Sequence, residues 1–381
     1  MKHLRLLILT LTAVIAATAN AQRHPGSDTV RLGIVLPLKE PTPRGAKMVE
    51  FYQGMLMAAD SLKHEGLNID IKALHSGTSA NDIDHLLDAN SLADRDIVFG
   101  SLDAAQLTAL ADYCDIHGVR LVVPFTPQAA PARYTPLYYL CTAPHDVQQR
   151  QAVWFLTEQF ADCNIVTVEC NDNNTDGKAL TSLLRDEMAA KGIHVRNVNI
   201  DGDDLAMAQA LNHQKRNIIV LNSPALKALT QLLPRLKAYR QTYPDVQLTL
   251  FGYPDWQTYT GQFLTDFYEL DTYVYTTFYR NPLQPRSEHF DKEFLTWFHT
   301  PMAATFPRYA MMGFDLAYFF LRGYAIYGNQ LEAHIHDVPA RPYQHPLYFV
   351  QQGDGAGYVN EFVQLIHYTP YQSIELLTRN R

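Results

Sequence analysis

From residue 30 the chain alternates short apolar strands with amphipathic helices, and at about residue 147 the same alternation starts over. Strand-like runs lie at 30–37, 68–73, 96–99 and 120–124, with helical spacing at 51–62, 83–87 and 104–116. Gly66 and Gly118 stand where these helices should stop. Strands joined through helices form parallel sheets with helices on both faces. The second set has helices at 147–160, 178–191, 205–213 and 225–240, and strands at 164–169, 195–200, 218–221 and 247–251. The expected fold class is α/β, with two doubly wound parallel-sheet lobes.

No low-complexity linker separates the sets, and Thr142-Ala143-Pro144-His145 is the best crossing point. After Thr272 the register changes. A strand at 273–279 precedes helices near 288–299 and 310–327. Residues 347–350, a Gly-rich turn and the run 362–368 suggest a hairpin. The parts after 280 have the first lobe as their natural packing partner, so the chain crosses more than once and makes a hinge. The expected organisation is lobe one at 30–142 plus 280–340, lobe two at 143–279, and a C-terminal hairpin and tail at 341–381 packed on both.

Residues 1–21 read as an export signal. Lys2 and Arg5 precede an uncharged run from Leu6 to Ala17, and Ala19-Asn20-Ala21 offers a small-x-small cleavage site. That run is 12 residues, against the ~20 a membrane span requires. No Cys follows Ala21, so a lipoprotein is not expected. The mature chain should be soluble and periplasmic, with no membrane span, in a compartment where nucleotide cofactors are scarce. Removing the signal moves the formal charge from −8 to −10, which disfavours nucleic acid and anionic membrane surfaces as partners. Apolar residues at 47% provide ample core for two lobes. Cys114, Cys141, Cys163 and Cys170 lie in a chain expected to meet oxidising conditions. Cys163 and Cys170 flank one extended strand whose ends lie ~20 Å apart, too far for a mutual bridge.

Three motifs invite a sharper reading. Asp172-x-Asn174-x-Asp176-Gly177 opens like a calcium loop, but its twelfth position is Leu183 instead of a bidentate Glu. A strand-to-helix turn with capping side chains accounts for it better. Gly353-Asp354-Gly355-Ala356-Gly357 lacks the strand and helix of a phosphate loop and reads as a hairpin turn. His334-x-His336 has no third ligand at a readable spacing. Signatures of serine hydrolases, zinc proteases and P-loop enzymes are missing from the sequence. No enzyme, metal or cofactor is expected, and the enzyme alternative is a hydrolase whose dispersed site leaves no motif. Tyr253, Trp256, Tyr259, Phe278 and Tyr279 concentrate near strand ends, either as packing or as a stacking wall for a ring or sugar. Asp315 either faces a cleft or serves its own helix. Arg44 either meets an anion or is solvated.

Several segments together resemble the type I periplasmic-binding-protein fold, in the branch of leucine/isoleucine/valine-binding proteins. These are VRLGIVLPL (30–38), DIVFGS (96–101), RLVVPFT (120–126) and YAMMGFDLA (309–317). The resemblance spans about 30–327. LFGYPDW (250–256) looks like an envelope subgroup from Bacteroides-like bacteria. The resemblance implies a non-catalytic clamp closing on a small ligand. It also implies a ligand carboxylate held by Ser101 after the third strand and Thr126 after the fourth. In lobe two the family holds an ammonium with a tyrosine and an acidic residue. Here those places read Asn171-Asp172-Asn173-Asn174-Thr175 and Asn222-Ser223-Pro224, with Asp172 or Asp176 as the available substitutes. The candidate ligand contacts are Ser101, Asp103, Phe125 and Thr126 in lobe one, Asn174, Thr175, Ser223, Tyr253 and Trp256 in lobe two, and Asp315. The partner is a small molecule or, if the clamp has lost its ligand, an envelope protein.

Overall fold

The computed structural model describes residues 29–126, 135–282 and 284–378; the expected signal segment lies outside them. Lobe one starts with β1 (Thr29–Leu36), α1 (Pro43–His64), β2 (Asn68–His75), α2 (Ala80–Asp88), β3 (Ile97–Phe99), α3 (Ala104–His117), β4 (Arg120–Val123) and β5 (Tyr138–Leu140). These five strands lie in the order β2-β1-β3-β4-β5, all parallel. Strands β3, β4 and β5 are buried throughout. They read as unbroken apolar runs because helices cover both faces of a parallel sheet.

Lobe two repeats the plan with α4 (His145–Gln159), β6 (Asn164–Glu169), α5 (Thr175–Ala190), β7 (Arg196–Asn199), α6 (Asp204–Ala210), β8 (Asn217–Leu221), α7 (Leu226–Thr242), β9 (Leu248–Gly252), α8 (Thr260–Glu269) and β10 (Thr272–Thr276). Its order, β7-β6-β8-β9-β10, is that of lobe one, again all parallel. The fold class is therefore α/β, two parallel-dominated sheets with flanking helices. Within these two sets, β5 and α8 escaped the sequence reading. β5 has only three residues, too few to show a period. α8 opens with Thr260-Gly261, and glycine in a helix costs ~1 kcal/mol against alanine, which hides the helix from propensity.

The chain then returns to lobe one with α9 (Pro285–Phe298) and α10 (Tyr309–Tyr327), followed by a 3-10 turn at Gly328–His334. Phe290 and Phe294 of α9 pack with Met57, Ala310 and Met311. The last four strands are β11 (Phe349–Gln351), β12 (Tyr358–Asn360), β13 (Gln364–Tyr368) and β14 (Ile374–Thr378). β11 and β12 form an antiparallel hairpin across the Gly-rich turn and extend the first sheet beside β5. β13 and β14 extend the second sheet, antiparallel to β10 and to each other. The hairpin thus pairs 349–351 with 358–360, and not with 362–368 as the sequence suggested. β12 is three residues ending in Asn360, an amide poorly suited to strands, so its signal is weak.

Candidate ligand-binding site

In each sheet the order reverses at the first strand, which leaves a switch point between β1 and β3 and another between β6 and β8. Open α/β sheets bind ligands beyond the carboxyl ends of strands at such points. In lobe one the start of α1 and the loop leaving β3 are tied by Arg44, whose guanidinium meets Asp103 at 2.5 Å. Ser101 follows β3 and is fully buried. Its hydroxyl accepts from Asp103 N–H at 3.2 Å and donates to Gln106 Oε1 at 2.6 Å. Gln106 in turn donates to the carbonyls of Ser76 and Ser79.

Lobe two repeats the device with different chemistry. Ser223 follows β8, accepts from Ala225 N–H at 3.2 Å, and donates to Asp172 Oδ2 at 2.5 Å. Asp172 stands in the loop after β6, so this bond spans the switch point. Asn174 caps α5 by accepting from Gly177 N–H at 2.7 Å, while Asp172 Oδ1 accepts from Asn174 N–H. The calcium-like run is thus a capped strand-to-helix turn, with Thr175 exposed at the helix start. Asp176 pairs with His145 at 3.3 Å.

Three segments cross between the sheets, at 141–144, 277–282 and 361–363. They are tied to one another. Asn360 is fully buried; it donates to Cys141 O and accepts from Tyr348 N–H and Phe362 N–H. Tyr279 N–H donates to Gln344 O at 3.0 Å. Hinges absorb their motion in a few such residues.

Compared with known proteins, no family model matches this chain and no curated protein does. Solved structures do match along its length. A branched-chain amino acid ABC transporter protein from Rhodospirillum rubrum superimposes with TM-score 0.63 at 14% identity, covering 92% of this chain and 100% of that one. An ABC-type branched-chain amino acid transporter protein from Rhodopseudomonas palustris gives TM-score 0.56 at 13% identity, over 92% and 96%. An ABC transporter substrate-binding protein from Desulfitobacterium hafniense in complex with Leu gives 0.50 at 16%, over 92% and 100%. The chain has the type I periplasmic-binding-protein fold.

Within this fold the expected contacts divide into two groups. Ser101, Asp103, Asn174, Thr175 and Ser223 lie at the two switch points. Phe125 is half-buried and packs edge-on to Phe51 with centroids 4.7 Å apart. It leads to half-buried Thr126 in the loop after β4. Tyr253, Trp256 and Asp315 are elsewhere. Trp256 has no exposed surface and stacks on Phe267 of α8, with centroids 5.8 Å apart. It folds back over Gly252, where a Cβ would stand 2.1 Å from the indole. Tyr253 is buried and donates to Leu221 O at 2.5 Å. Neither ring presents a wall to a ligand here; the packing alternative describes both. Sequence reading missed Gln106, Gln344 and Asn360, whose contacts bring together loops far apart in the chain.

All four cysteines are free, and burial raises the Cys170 thiol to about 12. Among the described residues no helix is long and apolar enough to cross a membrane. None of their His, Cys, Asp and Glu side chains gather in threes to hold a metal. His334 instead pairs with Asp337, and His336 packs on Tyr348.

Asp315 holds the segment 343–345, next to the second crossing. Its buried carboxylate accepts from the N–H groups of Tyr343 at 2.6 Å and of Gln344 and His345 at 2.8 Å. It therefore fixes the segment that holds Tyr279. Burial pushes the carboxyl up to about 7, against the pull of those three donors. Burial also brings His345 down to about 4 and keeps its ring neutral. Asp315→Ala orphans three buried N–H groups at ~1–3 kcal/mol each but removes a costly buried carboxyl, for a net loss of about 2 kcal/mol. The raised folded-state pKa means the folded protein holds the proton more tightly than the unfolded chain between about pH 4 and 7, so the group's contribution falls as pH rises through that window. Urea unfolding at pH 5 and pH 8 should show the difference between wild type and Asp315→Asn shifting against wild type at the higher pH. Equal gaps would contradict the raised carboxyl.

Proposed function

We propose that the protein is an extracytoplasmic solute-binding clamp whose lobes close on a small polar ligand without chemistry. The observation that carries this reading is the pair of switch points of opposite character, embedded in a fold hinged at three crossings. Lobe one offers Arg44, Thr126 and the start of α3, where helix N–H groups favour an anion. Lobe two offers Asp172 and Asp176, which favour an amine or hydroxyl donor. The relatives in fold support the reading: one of them is described in complex with Leu. Asp172 then does the work of the absent lobe-two tyrosine and acid. Export by residues 1–21 puts the clamp in the periplasm, in an envelope of the Bacteroides-like kind.

The test is a thermal-shift screen of amino acids, short peptides, sugars and cell-wall fragments. One class should stabilise the protein by ~2.7 kcal/mol at 100 times its dissociation constant. Asp172→Asn should weaken that ligand at least about tenfold, since a hydrogen bond to a charged group is worth ~1.5–3 kcal/mol. No response from any class would refute the proposal.

A second reading rests on one feature. Most polar side chains at both switch points pair internally, through Arg44–Asp103, Ser101–Gln106 and Ser223–Asp172, while Arg44 Nε stays buried without a hydrogen-bond partner. A clamp that has lost its ligand and docks an envelope protein would need nothing more of them. A pull-down from envelope extract should then recover a wall enzyme or outer-membrane protein while the ligand screen stays silent; a ligand hit with no captured protein rejects it.

A further inference from the structure

A cavity of about 240 Å³ lies beside the second crossing, away from both switch points. Leu264 of α8 and Ile374 of β14 wall it from lobe two, Phe278 from the crossing, and Phe306 from lobe one. Phe306 is 54% exposed, a large apolar surface left in water at this place. The polar end is built differently. Arg280 and Arg308 both line the cavity, and its described lining residues include no carboxylate. Arg280 donates through Nη2 to Asp291 behind the wall, while its Nε and Asp291 Oδ1 are both buried with no hydrogen-bond partner. Arg308 donates to Ala303 O. Burial, and next the positive charge of Arg280, lower the Arg308 guanidinium, with Asp291 and Glu50 opposing.

A buried guanidinium N–H without an acceptor is costly, and two guanidinium groups beside one apolar chamber match a single kind of guest. We propose that this cavity binds a small carboxylate with an apolar tail, its head between Arg280 and Arg308 and its tail against Leu264, Ile374 and Phe278. Planar guanidinium groups pair with carboxylates through parallel charge-assisted hydrogen bonds. A water occupies ~30 Å³ of liquid, so the space suits a guest of roughly eight to ten heavy atoms. The walls come from both lobes and from the crossing between them. An occupant contacts all three and biases the hinge angle by whatever it gains in one state over the other. This site is independent of the solute site proposed above.

The probe is octanoate, titrated by calorimetry into the full chain, with octan-1-ol and octylammonium as matched tails. Octanoate should bind saturably at one site. Octanol should bind at least about tenfold more weakly, a difference of ~1.4 kcal/mol, and octylammonium should not bind. Leu264→Trp, which fills the chamber, should abolish the heat, and Arg308→Gln should weaken binding about tenfold. Circular dichroism and melting check that both variants fold, and a second filling variant, Ile374→Trp, stands in if Leu264→Trp does not. Asp172→Asn should leave octanoate binding unchanged. Absence of saturable binding, equal binding of octanol, or undiminished binding to a folded filled variant would each overturn the proposal.

Discussion

Replacing Glu332 with alanine is expected to destabilise the protein by about 3–5 kcal/mol, the usual cost of stripping a buried charge of its partner. Arg120 is 4% exposed and meets both carboxylate oxygens, at 2.8 and 2.9 Å. Tyr139 donates to the same carboxylate at 2.6 Å, and the Arg120 guanidinium lies 4.9 Å from the Tyr324 ring centre. The cluster ties β4 and β5 to the turn after α10, elements more than 190 residues apart in sequence. Alanine leaves Arg120 charged inside lobe one with only a ring for company. Burial raises the Glu332 carboxyl, but Arg120 outweighs it and holds the group below its ordinary range. A depressed folded-state pKa contributes stability that is present above the unfolded value, near pH 4.3, and is lost as pH falls through the folded one. Denaturant curves at pH 7 should show the full loss, and the gap should close as pH falls through the lowered folded-state value. A loss under 1 kcal/mol at pH 7 would mean that water replaces the carboxylate at no great cost.

Gly54→Ala should cost about 3 kcal/mol or more, at the upper end for overpacking. The helices α1 and α10 touch through backbone at two glycines. A Cβ on Gly54 would lie 1.8 Å from Ala310 O, and one on Gly313 would lie 2.0 Å from Phe51 O. Both obstacles are main chain, so the helices must part, and the surrounding core of Phe51, Met55 and Leu316 opens with them. Because the two sites share one contact, the double variant should lose less than the sum of the singles. Gly118→Ala is the control. Its Cβ would meet open space, but φ is +64°, so the cost is only the left-handed strain of ~1–2 kcal/mol. A Gly54→Ala protein as stable as wild type would contradict a backbone contact this close between the two helices.

The sequence and the fold agree best where a strand is buried on both faces. β6 and β8 stand out as apolar runs, and Asn174 caps the helix that follows β6, so the doubled α/β plan was legible. β5 and β12 were not, because three residues cannot display a period. The site was legible by position and not by contact. Ser101 and Ser223 could be named from their places after third strands, yet their partners Gln106 and Asp172 appear only once the loops are folded. Trp256 shows the same limit. Its stacking partner Phe267 lies on α8, and with that helix unread the indole looked available to a ligand. Asp315 kept both readings open until residues 343–345 were seen to close on it from 28 to 30 positions away.

Closure of one lobe on the other is the movement on which the functional reading depends. Spin labels at Lys39 after β1 and Asn173 after β6, both exposed, report the distance between the lobes by pulsed electron resonance. Pools of amino acids, peptides, sugars and wall fragments would be added in turn. The clamp predicts that at least one pool shortens and narrows the distance distribution and raises the melting point of the same sample. A distribution that no pool moves would contradict it.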